Sequence, residues 1–462
     1  MIKVADITPA APRRQGRVLV GIATACAICD WLAPAAAALD LDGTDGLITE
    51  TIASQERNKD YDDAKTYGAE PVRDRDRSYA MPDGLRAGNY TVFPSVGATV
   101  VYDDNIFRSD ANKVSDWRSE LTPAIKFQSQ LPRHVLDLSL DGKIVNYLDN
   151  TSQDYANVRA KLDGALHFDH AHTLSASILS ALEHEERGET STPLSAAEPI
   201  PVFHNRASVG ITRDVGRLYG TLMGTFESWD YSDVRRNTRF DNPFDPPHPE
   251  RLDEDYRNTK QFSSALRFGY RFSPGYEFVG KIRALRELNR GDELYDRDAY
   301  GYEAMAGLAF ETSPLLRWRI LAGYGYRDFE QHNIEDVSTG LLEGQVQWLP
   351  TEYMTFTGIA TRQILAADAV EDAGRIETRL LGRLDYEIWH NLVMNFALEY
   401  TDAKYVGIAR RDTTVSGRIG LDYYLNENWL LSLGYEHSAR DSTDTNFDMS
   451  RNRVTVGAKL RF

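Results

Sequence analysis

This sequence predicts an all-β fold: a transmembrane antiparallel up-and-down β-barrel of about eighteen strands, the last strand ending in Phe. Three observations predict it. From residue 90 onward, apolar and polar side chains alternate with a period of two over segments of about ten residues or more. The connections between those segments alternate between short and long. Ahead of them stands a basic, then apolar, then small-residue stretch of the kind that directs export.

Composition narrows the alternatives. The chain has 462 residues, with 69 Asp and Glu against 52 Lys and Arg, a formal net charge of −17. That balance argues against a nucleic-acid partner, which requires a basic footprint. Beyond residue 38 no apolar run approaches the ~20 residues that a membrane helix needs, so a helical membrane protein is excluded. The 24 Tyr and 33 Gly suit strands and turns.

The N-terminal segment sets the compartment. Arg13, Arg14 and Arg17 precede the apolar run Val18–Cys29, and Ala35–Ala38 follow it, so residues 1–38 read as a secretory signal peptide, with Asp30 as an interruption. Cys26 and Cys29 both fall inside it, which would leave the exported chain without cysteine. Residues 39–88 carry dense mixed charge, as in Glu56–Lys65 and Arg73–Arg77. Such a stretch cannot bury enough apolar surface to offset chain entropy, and it reads as a disordered periplasmic extension; the alternative is a helical turn serving as a partner site or partial plug. The barrel would then occupy residues 89–462.

Each barrel element follows from the alternation. In 155–168 the even positions are Ala156, Val158, Ala160, Leu162, Gly164, Leu166 and Phe168, while Asn157, Arg159, Lys161, Asp163 and His167 stand between them. In 375–388 the even set Ile376, Thr378, Leu380, Gly382, Leu384, Tyr386 and Ile388 alternates with Arg375, Glu377, Arg379, Leu381, Arg383, Asp385 and Glu387. A helix would place charge on every face of these segments. The same reading gives strands at 90–102, 116–129, 134–147, 155–168, 172–184, 202–213, 217–231, 256–272 and 276–289. It continues with 298–310, 315–328, 338–349, 353–364, 375–388, 392–402, 411–424, 429–438 and 449–462. Short links such as 130–133, 169–171, 214–216 and 273–275 hold Gly, Pro, Asn and Asp; longer polar loops such as 103–115, 185–201 and 232–255 fall between them. Short turns at one rim, long loops at the other and an even strand count belong to transmembrane barrels, whose closure satisfies every backbone group in hydrocarbon. Tyr300 and Tyr302 near one end, and Phe268, Tyr270, Phe272, Phe310 and Trp348 near the other, suit interfacial belts.

The final segment, Arg453–Phe462, alternates to its terminal Phe462 and resembles the C-terminal signal of bacterial outer-membrane proteins read by the barrel assembly machinery. The barrel opens with Phe93–Phe107, containing Tyr102, Asp103, Asp104 and Asn105, followed by Asp116, Pro123 and Asp154-Tyr155. This resembles the putative beta-barrel porin 2 family of Gram-negative outer membranes. The resemblance implies a bacterial outer-membrane location, contact with outer-membrane lipid and lipopolysaccharide, and an association with exopolysaccharide export. It thereby implies a polysaccharide or saccharide channel, with polysaccharide export proteins as candidate partners.

About eighteen strands enclose more space than side chains fill, which leaves an aqueous lumen unless it is plugged. The basic residues assigned to the lumen are Arg159, Lys161, Arg267, Arg271, Lys281, Arg283, Arg317, Arg319, Arg379 and Arg383, with interspersed acids such as Asp163, Glu277, Glu303, Glu343, Asp385 and Glu399. They could select anionic solutes through the local field or form cross-strand ion pairs that stiffen the wall; both readings stay open. Tyr155, Tyr219, Trp229 and Tyr231 could stack on sugar rings or pack against the wall.

Little in the sequence points to chemistry. There is no phosphate-cradling Gly loop and no Gly-x-Ser-x-Gly elbow, so no catalytic residue or cofactor is assigned. His167, His170 and His172 are brought together only by a turn, without carboxylate or Cys partners at ligand spacing, so no metal is expected. Asp103-Asp104 and the acidic loop 240–255 are candidates for divalent cations or lipopolysaccharide bridging, with a solvated loop the simpler reading. The leading functional expectation is passive passage of an exported polysaccharide. The rivals are a general or anion-selective small-solute porin, which predicts a loop folded into the lumen, and a plugged barrel acting as an assembly or adhesion scaffold.

Overall fold

The computed structural model describes residues 70–75, 77, 80–189, 192–193, 195–237, 250–289, 297–313, 315–331, 334–366 and 373–462. The expected signal peptide with Cys26 and Cys29, residues 39–69 of the expected extension, and 240–249 of the acidic loop lie outside these residues.

Eighteen long strands form one sheet. In chain order they are β1 (Tyr90–Asp103), β2 (Asp116–Ser129), β3 (His134–Tyr147), β4 (Tyr155–His167), β5 (His172–Glu185) and β6 (Ile200–Val215). Next come β7 (Leu218–Tyr231), β8 (Thr259–Ser273), β9 (Tyr276–Asn289), β10 (Ala299–Ser313), β11 (Leu316–Phe329) and β12 (Val337–Thr351). The series ends with β13 (Met354–Leu365), β14 (Gly374–Trp389), β15 (Leu392–Val406), β16 (Arg411–Tyr424), β17 (Trp429–Ser442) and β18 (Met449–Arg461). Each strand pairs antiparallel with its neighbours in sequence, and β1 pairs with β18 from Ser95 opposite Arg461 to Asp103 opposite Arg453, which closes the barrel. Among the described residues the only helical pieces are three-residue 3₁₀ turns, and no helix is long and apolar enough to cross a membrane.

The strands sit where the alternation places them. Several run further than expected at the long-loop rim: β17 reaches Ser442 and β15 reaches Val406. The β17 extension, Ala439-Arg440-Asp441-Ser442, carries polar residues on both faces. Apolar alternation marks only the part of a strand that meets hydrocarbon, so a strand continuing into water leaves no such trace.

The two faces are told apart by partners. On β4, Val158, Leu162 and Leu166 are exposed, as are Leu136 and Leu140 on β3 and Val454 and Val456 on β18. The opposite parity holds Arg118, Arg206, Glu227, Arg418 and Arg451, all buried. Arg118 of β2 and Arg451 of β18 both reach Glu186, just beyond β5, and only the interior of a closed wall allows that. The charged parity is therefore the lumen and the apolar parity faces lipid.

Short turns and both ends of the barrel chain share one rim. Gly216 and Gly275 take positive φ there (63° and 72°), the geometry that two-residue hairpin turns demand. Register shifts recur at this rim, between Arg271 and Ser273, Glu311 and Ser313, Trp348 and Thr351, and Glu387 and Trp389. A three-residue strand, Leu85–Ala87, doubles back on Tyr90–Val92, and ahead of it Val72, Arg73, Arg75 and Arg77 lie against the inner wall.

Candidate channel lumen

The lumen is built in three zones. At the long-loop mouth, buried guanidinium and carboxylate groups interlock. Asp103, the last residue of β1, accepts from Arg451 of β18 across the closing seam. Glu186 accepts from Arg118 at 2.7 Å and from Arg108 at 2.9 Å, and lies 3.6 Å from Arg451. Burial alone would raise Glu186, but those three guanidinium groups outweigh it and hold the carboxyl well below the usual range. Glu189 meets Arg108 at 3.3 Å, and burial pushes it up to about 8.

Loops shape this mouth. Arg108 adopts φ 49°, a left-handed conformation uncommon for a side-chain-bearing residue, and its contacts with Glu186 and Glu189 hold it there. Gly188 has φ 74°, and a Cβ on it would lie 2.3 Å from the carbonyl oxygen of Phe107. Only glycine allows the loop after β5 to press this closely on the loop after β1. Arg440 of β17 then donates to the Gly188 carbonyl at 3.0 Å.

A second cluster lines the same mouth near β5–β8. Arg257 pairs with Glu185 at 2.8 Å and Glu254 at 3.1 Å and lies 4.0 Å over the Tyr231 ring. Burial pushes Glu254 up to about 7 against the pull of Arg257. Glu227 accepts from Arg206 at 2.8 Å and meets His204 at 2.9 Å, while His204 stacks on Trp229. The exposed carboxylates of Asp233, Asp253 and Asp255 lie within 4.8 Å of one another beside it.

The middle zone holds most of the basic residues assigned from sequence. Arg159 reaches Glu183 at 2.9 Å, Lys161 Asp163 at 3.1 Å, Arg379 Glu399 at 3.1 Å and Arg383 Asp385 at 3.0 Å. Arg271 reaches Asp214 at 2.7 Å, Arg317 reaches Glu311 at 2.7 Å, and Arg283 lies 3.7 Å from Glu303. Lys281 and Arg319 share Glu343, each at 3.4 Å. Arg267 makes no ion pair or hydrogen bond among the described residues. The aromatic candidates do not line one track. Tyr155 donates to Glu186 at 3.0 Å, Trp229 and Tyr231 are taken up as above, and Tyr219 donates to Glu277 at 2.9 Å near the opposite rim.

At the short-turn mouth, residues 70–75, 77, 80 and 81 lie along the inner wall. Arg73 pairs with Asp385 at 2.8 Å, and Arg75 and Arg77 with Glu387 at 2.9 and 3.1 Å. The Val72 amide donates to Thr355 Oγ1 at 2.8 Å, and Arg461 donates to the Ala80 carbonyl at 2.9 Å. Val72 and Ala80 pack with Val393, Tyr424 and Leu430. The described part of the 39–88 stretch is thus held by its charges: alternate arginines face wall carboxylates.

The family motif serves the seam. Tyr102 faces lipid and packs on Trp117, with ring centroids 5.0 Å apart. Asp103 and Asp104 depart from the solvated loop expected of them: Asp103 is buried on Arg451, and Asp104 accepts from the Asn452 amide at 2.7 Å. Asn105 bonds the Ser450 carbonyl at 2.9 Å. Pairing of β1 with β18 brings these partners from 348 residues away, which sequence reading could not show. At the short-turn rim, Asp169 meets His172 Nδ1 at 3.0 Å, a carboxylate that the spacing argument passed over, while His167 Nδ1 meets Thr173. Phe462 bonds the Pro94 carbonyl through its amide at 3.0 Å.

Residues missed from sequence are those of the loops and of the strap 70–81: Arg108, Glu186, Glu189, Glu254, Arg257, Arg73, Arg75 and Arg77. The period-two spacing of Arg73, Arg75 and Arg77 was the one available signal, since it puts three cations on one side of an extended chain.

A family model described as putative beta-barrel porin 2 matches residues 77–462. Among solved structures, OpdK of Pseudomonas aeruginosa crystallised with vanillate is 12% identical, with 80% of this chain and 99% of that chain covered and a TM-score of 0.43. OccK9 (OpdG) of Pseudomonas aeruginosa is 14% identical over 80% and 98%, with a TM-score of 0.44. The FrpB iron transporter of Neisseria meningitidis is 11% identical over 79% and 63%, with a TM-score of 0.45. No curated protein sequence matches the chain.

Proposed function

The chain belongs to the putative beta-barrel porin 2 family, and from that premise we propose that this outer-membrane channel passes small polar solutes passively through its charged lumen. One observation carries the preference for small solutes. The loop after β5 folds inward and is held by Arg440 of β17, on the other side of the β1–β18 seam, so a chord of protein stands inside the outer mouth. The strap 70–81 adds bulk at the opposite mouth. A hydrated polymer chain needs a continuous wide bore, whereas small solutes pass a constricted one.

Polysaccharide passage, together with export proteins as partners, is the second reading and rests on the family resemblance. Insertion by the barrel assembly machinery and contact with lipopolysaccharide are proposed on the same basis. Planar-bilayer recording of the purified full chain separates the readings. Small-solute passage gives stable ohmic steps that added polysaccharide leaves unchanged. Polymer passage gives steps that added polysaccharide blocks in a voltage-dependent way. A closed scaffold gives no steps at all.

A further inference from the structure

We infer that the short-turn mouth carries a recognition site for an arginine-rich peptide segment, with Arg73, Arg75 and Arg77 as its resident, displaceable ligand. The wall alone builds the site. Glu387 of β14, Val393 of β15, Asp422 of β16 and Ser432 of β17 form one cross-strand row on the inner face. Thr355 of β13, Asp385 of β14 and Asn395 of β15 form the row beside it. Three carboxylates thus sit in two rows in which no cross-strand partner is basic. Elsewhere the same wall places a base opposite its acids, with Arg317 opposite Glu311 and Arg283 opposite Glu303. Nearby groups engage the three carboxylates in part: Arg383 donates to Asp385 at 3.0 Å, His390 meets Glu387 at 3.2 Å, and Asn395 donates to Asp422 at 3.3 Å.

The strap matches this surface group by group. Arg73 reaches Asp385, while Arg75 and Arg77 share one oxygen of Glu387. Arg75 lies 5.8 Å from the Tyr353 ring centroid and Arg77 5.5 Å from that of Tyr424, close enough for cation–π attraction. The Val72 amide donates to the Thr355 hydroxyl, the Ala80 carbonyl accepts from Arg461, and Val72 and Ala80 cover Val393, Tyr424 and Leu430. Without a covering segment, that apolar patch would face the water of the lumen beside the three carboxylates.

These contacts are of a kind that exchanges. None of the described strap residues is in a strand, so no backbone ladder ties the segment to the wall. The side chains of Arg73 and Arg75 each keep 18% exposure, so water and salt reach their ion pairs. The tether is the short strand Leu85–Ala87, exposed at all three residues, with Gly84 and Gly88 at positive φ on either side (72° and 62°). A tethered ligand holds its site through an effective concentration on the order of millimolar, and a free copy competes with it by mass action.

The test is fluorescence anisotropy of a labelled peptide with the sequence of residues 70–81, titrated with the purified full chain in detergent. The readout needs no current, so it is independent of which solutes the lumen passes. A variant carrying Arg73→Gln, Arg75→Gln and Arg77→Gln vacates the site and should bind the peptide saturably. The wild type should bind it about tenfold or more weakly, because its own strap competes. A peptide with Gln at the three arginine positions should not bind. Adding Glu387→Gln to the emptied variant should weaken binding of the arginine peptide about tenfold or more, and raising the salt from about 0.1 M to about 1 M should weaken it as well. Heat-modifiable gel mobility checks that each variant is folded. No binding to the folded emptied variant, equal binding to it and to the wild type, or equal binding of the Gln peptide would overturn the site.

Discussion

Arg440 of β17 donates to the carbonyl of Gly188 in the loop after β5 at 3.0 Å, although six strand-to-strand steps separate β17 from β5 around the wall. The bond is a chord inside the barrel and depends on Gly188 having no Cβ. A side chain there would face the Phe107 carbonyl at 2.3 Å from a positive-φ backbone. Gly188→Val should therefore unseat the loop at a local cost of about 1–2 kcal/mol, leaving the strands folded. Single-channel conductance should rise by about half or more, since the constriction widens. Unchanged conductance in a folded variant would mean that the loop does not limit the bore.

The seating of that loop should depend on pH through Glu189, which burial raises from 4.5 to about 8. A carboxyl raised in the folded state contributes stability that is full below about pH 4.5 and is lost as pH rises through about 8. Glu254, raised to about 7, acts in the same direction. Glu186 is lowered instead, so its contribution is present at neutral pH and falls away only in acid. Between about pH 5 and 9, open-channel noise should grow with pH, and Glu189→Gln should flatten the profile. A wild-type profile that is flat across this range, or falls, would count against the loop latch.

The strap 70–81 hangs on Glu387, which lies between Arg75 and Arg77. Arg77 is 1% exposed, so Glu387→Ala strands a buried guanidinium at a cost of about 3–5 kcal/mol. The cheapest relief is release of the strap. In limited proteolysis of the folded barrel, trypsin should cut at Arg73, Arg75 and Arg77 in the variant and spare them in the wild type. Equal cutting in both would show that the ion pairs do not hold the segment.

The β10–β11 pair depends on close backbone approach. A Cβ on Gly323 would lie 1.9 Å from the Ala304 carbonyl oxygen, which belongs to the partner strand's backbone and cannot swing away. Gly323→Ala should therefore disrupt the pairing and abolish the heat-modifiable band that marks a folded barrel. Gly340→Ala is the control, since its Cβ would meet nothing nearer than the Gly323 carbonyl at 3.9 Å, and it should fold normally.

Alternation is a local signal, written by each residue's neighbours two positions away. That is why the number of strands, their order, the parity of Arg159 or Arg383 and the short-turn rim are all legible in the sequence. Lipid and water sit on opposite sides of a closed wall, and every second residue must answer to one of them. The partners of those charges belong to a different scale. Asp103 meets Arg451 only because the ends of the sheet join, and Arg108 meets Glu186, and Arg440 the Gly188 carbonyl, only because a loop crosses the space that closure creates. Residues 70–81 look too charged to pack by their own composition, yet alternate arginines find Asp385 and Glu387 on a wall that forms three hundred residues later. Composition reports whether a segment can bury apolar surface alone, and it is silent about countercharges supplied from elsewhere. The sequence alone determined the barrel and its two faces; tertiary structure alone decided which loop crosses the interior and which charges meet there.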